Sequence, residues 1–239
     1  MSGGSGIAAN LADVRHQIAE AAARAGRDPA GIRLVAVSKT FPATLVREAA
    51  AAGQTDFGEN RVQEGLEKIE ALADLPLEWH LIGHLQSNKA RRAAASFSWI
   101  HSVDRLDLLE RLDRAAVEAG TAPNILIQVD LAGETTKHGA DMSVLQPLVQ
   151  AAADGRAVRL RGLMLLPPLP EDAEDSRPWF RRLRAIRDGL VSSGVPAAML
   201  AELSMGMSLD FDIAIEEGAT IVRVGTAIFG QRTAAPARP

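Results

Sequence analysis

The chain has 239 residues, 47% of them hydrophobic, with 26 basic and 30 acidic side chains and a net charge of −4. That balance speaks against nucleic-acid binding, which shows as a basic surplus, and no apolar stretch approaches the ~20 residues that cross a bilayer. Cysteine and tyrosine are both absent, which excludes disulfides, thiolate metal sites and any tyrosine acid or base.

The opening residues, Met1-Ser2-Gly3-Gly4-Ser5-Gly6, lack a basic region followed by an apolar core. They read as a flexible leader over 1–6, not a secretory signal, and a cytoplasmic location is expected. Leu11, Val14, Ile18 and Ala22 recur at helical spacing, which predicts an amphipathic helix over 7–26. Strand-like and helix-like segments then alternate. Strands are expected at 32–39, 55–58, 79–82, 99–103, 124–131, 160–166, 199–204 and 220–229. Helices are expected at 43–52, 62–72, 88–95, 105–119, 143–153, 177–192 and 209–217. The run Arg181-Arg182-Leu183-Arg184 reads as a solvated helix face. The tail after Gln231 reads as frayed over 233–239.

Strict β–α alternation implies a parallel sheet, and eight units suit a single (β/α)8 TIM barrel spanning 7–232. A doubly wound open sheet is the alternative, but its Gly-x-Gly-x-x-Gly turn after the first strand is missing. No phosphate loop ending in Gly-Lys-Ser/Thr is present either.

In a barrel the active face lies at the carboxyl ends of the strands. Lys39 ends the first strand there. Burial disfavours an ammonium, and a neutral amine is a nucleophile that forms a Schiff base with a carbonyl. The plain alternative is a lysine that caps the strand and reaches water. Ser204-Met205-Gly206-Met207-Ser208 follows the seventh strand and opens a helix, and Gly225-Thr226 lies on the eighth. Barrel phosphate sites come from these two loops, so the signals converge, although an ordinary N-cap by Ser208 also fits. Arg223 sits within an apolar strand and needs either a buried carboxylate or a ligand atom to face. His80 and His84 have no evident third partner, so no metal site is expected.

A strand-end lysine, a phosphate cradle and an inward arginine together fit pyridoxal 5′-phosphate. The chain resembles the pyridoxal phosphate homeostasis protein family, also called the YggS or PROSC family. The matching stretches are Leu34-Val35-Ala36-Val37-Ser38-Lys39-Thr40, Phe57-Gly58-Glu59-Asn60-Arg61-Val62-Gln63-Glu64, and Trp79-His80-Leu81-Ile82-Gly83-His84-Leu85-Gln86-Ser87-Asn88-Lys89. Leu203-Ser204-Met205-Gly206-Met207-Ser208 and Arg223-Val224-Gly225-Thr226-Ala227-Ile228-Phe229-Gly230 complete the set.

The resemblance implies the alanine racemase N-terminal barrel (fold type III among pyridoxal phosphate proteins), with an extra N-terminal helix and without the racemase's C-terminal β domain. It implies that Lys39 holds the cofactor as a Schiff base, with Lys137 the next lysine to consider. By the same likeness Arg223 faces the pyridine nitrogen and Asn60 sits near the ring. Ser204, Ser208, Gly225 and Thr226 hold the phosphate, and Met205 and Met207 line the pocket. Alanine racemase uses two bases, one a tyrosine of its second domain, and this chain has no tyrosine. The resemblance therefore implies a monomeric, non-catalytic carrier that buffers pyridoxal phosphate or delivers it to apo-enzymes. A weak racemase or lyase is the alternative. A cofactor-free Schiff-base aldolase acting on a phosphorylated sugar would also need a lysine and a phosphate site.

Overall fold

Eight parallel strands close into a barrel in sequence order in the computed structural model, which describes residues 6–133 and 138–231. The expected tail, the leader before Gly6, and Lys137 lie outside the described residues. The strands are β1 (Arg33–Val37), β2 (Asp56–Glu59), β3 (Glu78–Leu81), β4 (Trp99–Val103), β5 (Asn124–Val129), β6 (Arg159–Leu165), β7 (Glu202–Ser204) and β8 (Ile221–Val224). Strand β8 pairs back onto β1, with Val35 opposite Arg223, and this closes the ring.

An extra helix, α1 (Ile7–Arg24), precedes the barrel. The helices that follow the strands are α2 (Ala43–Ala51), α3 (Val62–Ala71), α4 (Ala90–Ser96), α5 (Leu106–Ala119), α6 (Met142–Ala153), α7 (Arg177–Ser192), α8 (Phe211–Glu216) and α9 (Thr226–Phe229). Helix α1 lays Leu11, Val14, Ile18 and Ala22 against the barrel's outer layer, beside α2, α8 and α9. Each large side chain so buried contributes about 1.5–3 kcal/mol. Among the described residues no helix is long and apolar enough to cross a membrane.

Three expectations differ from the structure. The last strand stops at Val224, and Thr226–Phe229 turns into α9. A short apolar run reads alike as buried strand or buried helix, and here the chain leaves the sheet at Gly225. The seventh strand is shorter than expected, because Ala197–Met199 forms a 3-10 turn after Pro196. The arginines of α7 are not merely solvated. Arg177, Arg181 and Arg184 converge on Glu217, whose side chain is only 5% exposed, so three cations hold one buried carboxylate at the α7–α8 seam.

Strand alternation separates two environments. One set of side chains packs outward against the helices. The inward set begins with an apolar layer of Val35, Trp99, Leu126, Met164 and Ile221. The inward positions also include the polar side chains His80, His101, Ser204 and Arg223, all buried.

Candidate functional site

A cavity of about 560 Å³ opens at the carboxyl ends of the strands. Its wall includes Lys39, Asn60, Met207, Ser208, Arg223, Gly225 and Thr226, seven of the eight residues expected from sequence. They come from the ends of β1, β2, β7 and β8, which no sequence spacing brings together.

Lys39 is pinned through its neighbours. Ser38 Oγ donates to Glu59 Oε1 at 2.6 Å, and the Ser38 carbonyl accepts from Lys68 Nζ at 2.7 Å. Lys68 also pairs with Glu59 at 2.6 Å and Glu64 at 2.9 Å. Glu64 in turn accepts the Thr40 amide, and Thr40 adopts φ +69, a left-handed turn directly after the lysine. Burial pushes Glu59 above the ordinary carboxylate range, against the pull of Lys68 and Ser38. Lys68→Met is expected to strand the buried Glu59 carboxylate and cost about 3–5 kcal/mol, read as a lowered urea midpoint. An unchanged midpoint would show that the pair does not carry this corner.

The loop after β7 and the start of α9 form the second wall. Gly225 N–H donates to Ser208 Oγ at 3.3 Å, which ties the two loops together. Asp210, buried and absent from the sequence reading, accepts the Met207 amide at 2.7 Å and the Ser176 hydroxyl at 2.7 Å. Gly206 sits at φ +90, where a Cβ would lie 2.9 Å from the Phe211 Cα, so the turn requires glycine.

Arg223 is 2% exposed. Its Nη1 donates to Ser204 Oγ at 2.6 Å and its Nη2 to the Leu165 carbonyl at 2.9 Å. Among the described residues no carboxylate pairs with it directly. Burial lowers its pKa to about 10, with partial compensation from the Asp210 charge, so it remains a cation at neutral pH.

Ser204 corrects one expectation. It is fully buried and absent from the cavity wall, and its hydroxyl is held by Arg223 and by His101 at 3.0 Å. Inward-facing Ser204 on a strand is indistinguishable by sequence from the loop hydroxyl of Ser208, four residues later. Met205, expected in the pocket, is instead in the hydrophobic core. Phe41, Gln128 and Asp210 line the cavity without having been singled out.

His84, Asp104 and His138 place their ligand atoms within 4.8 Å of one another, so the third partner missing from the sequence reading exists. However, the two imidazoles stack face to face, with centroids 3.5 Å apart and planes 15° apart. Lone pairs lie in the ring planes, so stacked rings direct them side by side and not at one point. Asp104 is also engaged by Arg105 at 2.7 Å.

Beneath the cavity His80 and His101 are fully buried and 3.0 Å apart. Burial lowers both, His80 despite its bond to Asp56, and His101 further because His80 and Arg223 add positive charge. Below 6.5 the unfolded chain therefore binds protons that the folded chain refuses. Stability present above that pH is lost as pH falls, with a limiting slope of about 1.4 kcal/mol per pH unit for each imidazole. Urea midpoints should drop between pH 7 and pH 5. A flat profile over that window would contradict the buried neutral pair.

Similarity to known proteins agrees with this geometry. The alanine racemase N-terminal domain family matches residues 9–233. The pyridoxal phosphate homeostasis protein of Pseudomonas aeruginosa is 49% identical over 229 residues, covering 95% of this chain and 96% of that one. The Aquifex aeolicus protein of the same name is 45% identical, covering 93% and 96%. PipY of Synechococcus elongatus PCC7942, solved with PLP bound, superposes with a TM-score of 0.84 at 45% identity, covering 94% of this chain and all of that one. An alanine racemase of Clostridium difficile, 13% identical with a TM-score of 0.72, covers 95% of this chain and 57% of its own and shares the fold alone. The architecture is thus the alanine racemase-type barrel. Within it, the chain belongs to the pyridoxal phosphate homeostasis protein family.

Proposed function

We propose that this chain binds pyridoxal 5′-phosphate covalently and serves as a non-catalytic carrier in pyridoxal phosphate homeostasis. The observation that carries the reading is the meeting of Lys39, Arg223 and the Ser208–Gly225–Thr226 wall in one cavity. The residues fit the cofactor on a further ground. Asn60 Oδ1 is buried at that wall with no hydrogen-bond partner among the described residues, an acceptor waiting for a donor.

Bound pyridoxal phosphate supplies a reactive aldehyde on an electron-withdrawing ring. Lys39 would provide the amine for a Schiff base, its nitrogen replacing the aldehyde oxygen, which leaves as water. Ser208, Gly225 and Thr226 would take the phosphate, and Met207 and Asn60 the ring. Arg223, cationic and facing the cavity, would keep the pyridine nitrogen unprotonated by charge repulsion and so weaken the ring as an electron sink. With no tyrosine in the chain, one of the two bases of a racemase is missing. The carrier reading extends to a monomeric, cytoplasmic protein that hands the cofactor to apo-enzymes.

Incubating the loaded protein with either alanine enantiomer tests the non-catalytic part. Racemization no faster than with free pyridoxal phosphate is expected, and turnover well above that background would make it an enzyme.

A further inference from the structure

A single file of hydrogen bonds crosses the barrel interior. Arg223 Nη1 meets Ser204 Oγ at 2.6 Å, Ser204 Oγ meets His101 Nδ1 at 3.0 Å, His101 Nε2 meets His80 Nδ1 at 3.0 Å, and His80 Nε2 meets Asp56 Oδ1 at 3.1 Å. Arg33 then closes on Asp56 Oδ1 at 2.5 Å, beside a second cavity lined by Arg33, Gln54, Asp56 and Thr220. The five linked side chains come from β8, β7, β4, β3 and β2. They join the cation at the cofactor cavity to a carboxylate at the other end of the barrel.

The donors can be assigned. Arg223 can only donate, so Ser204 oxygen accepts. Among the described residues the Ser204 hydroxyl proton has one acceptor, His101 Nδ1. His101 must then carry its proton on Nε2 and give it to His80 Nδ1. His80 carries its own on Nε2 and gives it to Asp56. Every bond runs from the cation to the anion, and each imidazole is neutral in one tautomer. The opposite polarity would charge His80 in a dry interior and leave the Ser204 proton without an acceptor. The fixed charge at the far end is secure: burial alone would raise Asp56, but bonds from His80, Arg33 and Thr55 outweigh it and hold the carboxyl at about 2.

We propose that Ser204, His101, His80 and Asp56 act as positioning residues, a polarised relay that orients Arg223 and tempers its charge toward the cofactor ring from the opposite mouth of the barrel. The relay itself stands on the hydrogen-bond geometry, and only its effect on a ligand rests on the proposed function. Imidazoles and a hydroxyl in series transmit polarisation better than separate bonds would, because each donor strengthens the next.

The test begins on the chain without cofactor, with histidine labelled in nitrogen-15. Long-range proton–nitrogen spectra are expected to find two imidazoles neutral and protonated on Nε2, unchanged between about pH 8 and about pH 5.5. Ser204→Ala should shift the His101 Nδ1 signal, and Ser204→Thr, which keeps the hydroxyl, should restore it. In the loaded protein, Ser204→Ala should move the pH midpoint of the visible cofactor band to lower pH, because less of the Arg223 charge is compensated, and Ser204→Thr should return it. An imidazole at His101 protonated on Nδ1 or charged at neutral pH would overturn the relay. A band midpoint identical in wild type and Ser204→Ala would overturn its action on Arg223. Failure of the wild type to take up cofactor would sink the proposed function, while the imidazole spectra would still decide the relay.

Discussion

Replacing Lys39 by alanine is expected to abolish covalent retention of pyridoxal phosphate entirely and leave a weaker, reversible complex. Among the described residues Lys39 is the lysine at the cavity wall, and the surrounding structure is built to hold its backbone. Ser38 and Thr40 are fastened on either side by the Glu59–Lys68–Glu64 cluster, so the side chain starts from a fixed point at the end of β1. Removing it takes away the bond-forming nitrogen but leaves the Ser208–Gly225 junction and the Arg223 guanidinium in place. Hydrogen bonds to a charged phosphate contribute about 1.5–3 kcal/mol each, enough to keep measurable reversible binding. Borohydride followed by mass measurement reads the outcome, with no mass gain expected for Lys39→Ala. A variant that still gains the cofactor mass would place the Schiff base on another lysine.

The second large effect is on stability. Gly162→Ala is expected to cost about 3 kcal/mol or more, at or beyond the upper end of ordinary overpacking. A Cβ at this position would lie 1.8 Å from the Glu202 carbonyl oxygen and 2.6 Å from its carbon. Those are backbone atoms of the paired strand, so no side chain can swing aside and the β6–β7 ladder must part. The disruption lies close to both partners of Arg223, the Leu165 carbonyl and Ser204, so cofactor uptake should weaken with it. Gly189→Ala is the control. It lies within α7 with nothing within 4 Å of its Cβ, and alanine there should be neutral or stabilising by up to about 1 kcal/mol. Equal urea midpoints for the two variants would contradict the close-approach argument.

Much of this was legible in the sequence, for physical reasons. Strands buried on both faces of a barrel read as continuous apolar runs, and glycines close several of the helices between them, as Gly120 does for α5 at φ 66. The barrel rule then sends Lys39, Asn60, Ser208 and Gly225 to one end without any contact information. What stayed hidden depends on which way a side chain turns. Ser204 and Ser208 look alike in sequence, but the strand aims the first inward at Arg223 and the loop leaves the second at the cavity. The His101–His80–Asp56 file spans three strands with no spacing signal, because each member is simply the inward residue of its own strand. Val224 to Phe229 failed for a different reason. A short, mostly apolar run carries no clear period, and the turn at Gly225 decided the matter.

The measurement that tests the central claim most directly is the absorption spectrum of the purified protein with added pyridoxal phosphate, before and after borohydride, followed by peptide mapping. The account predicts a visible band that borohydride removes and an adduct on the peptide carrying Lys39. A protein that stays colourless, or an adduct confined to a different lysine, would contradict it.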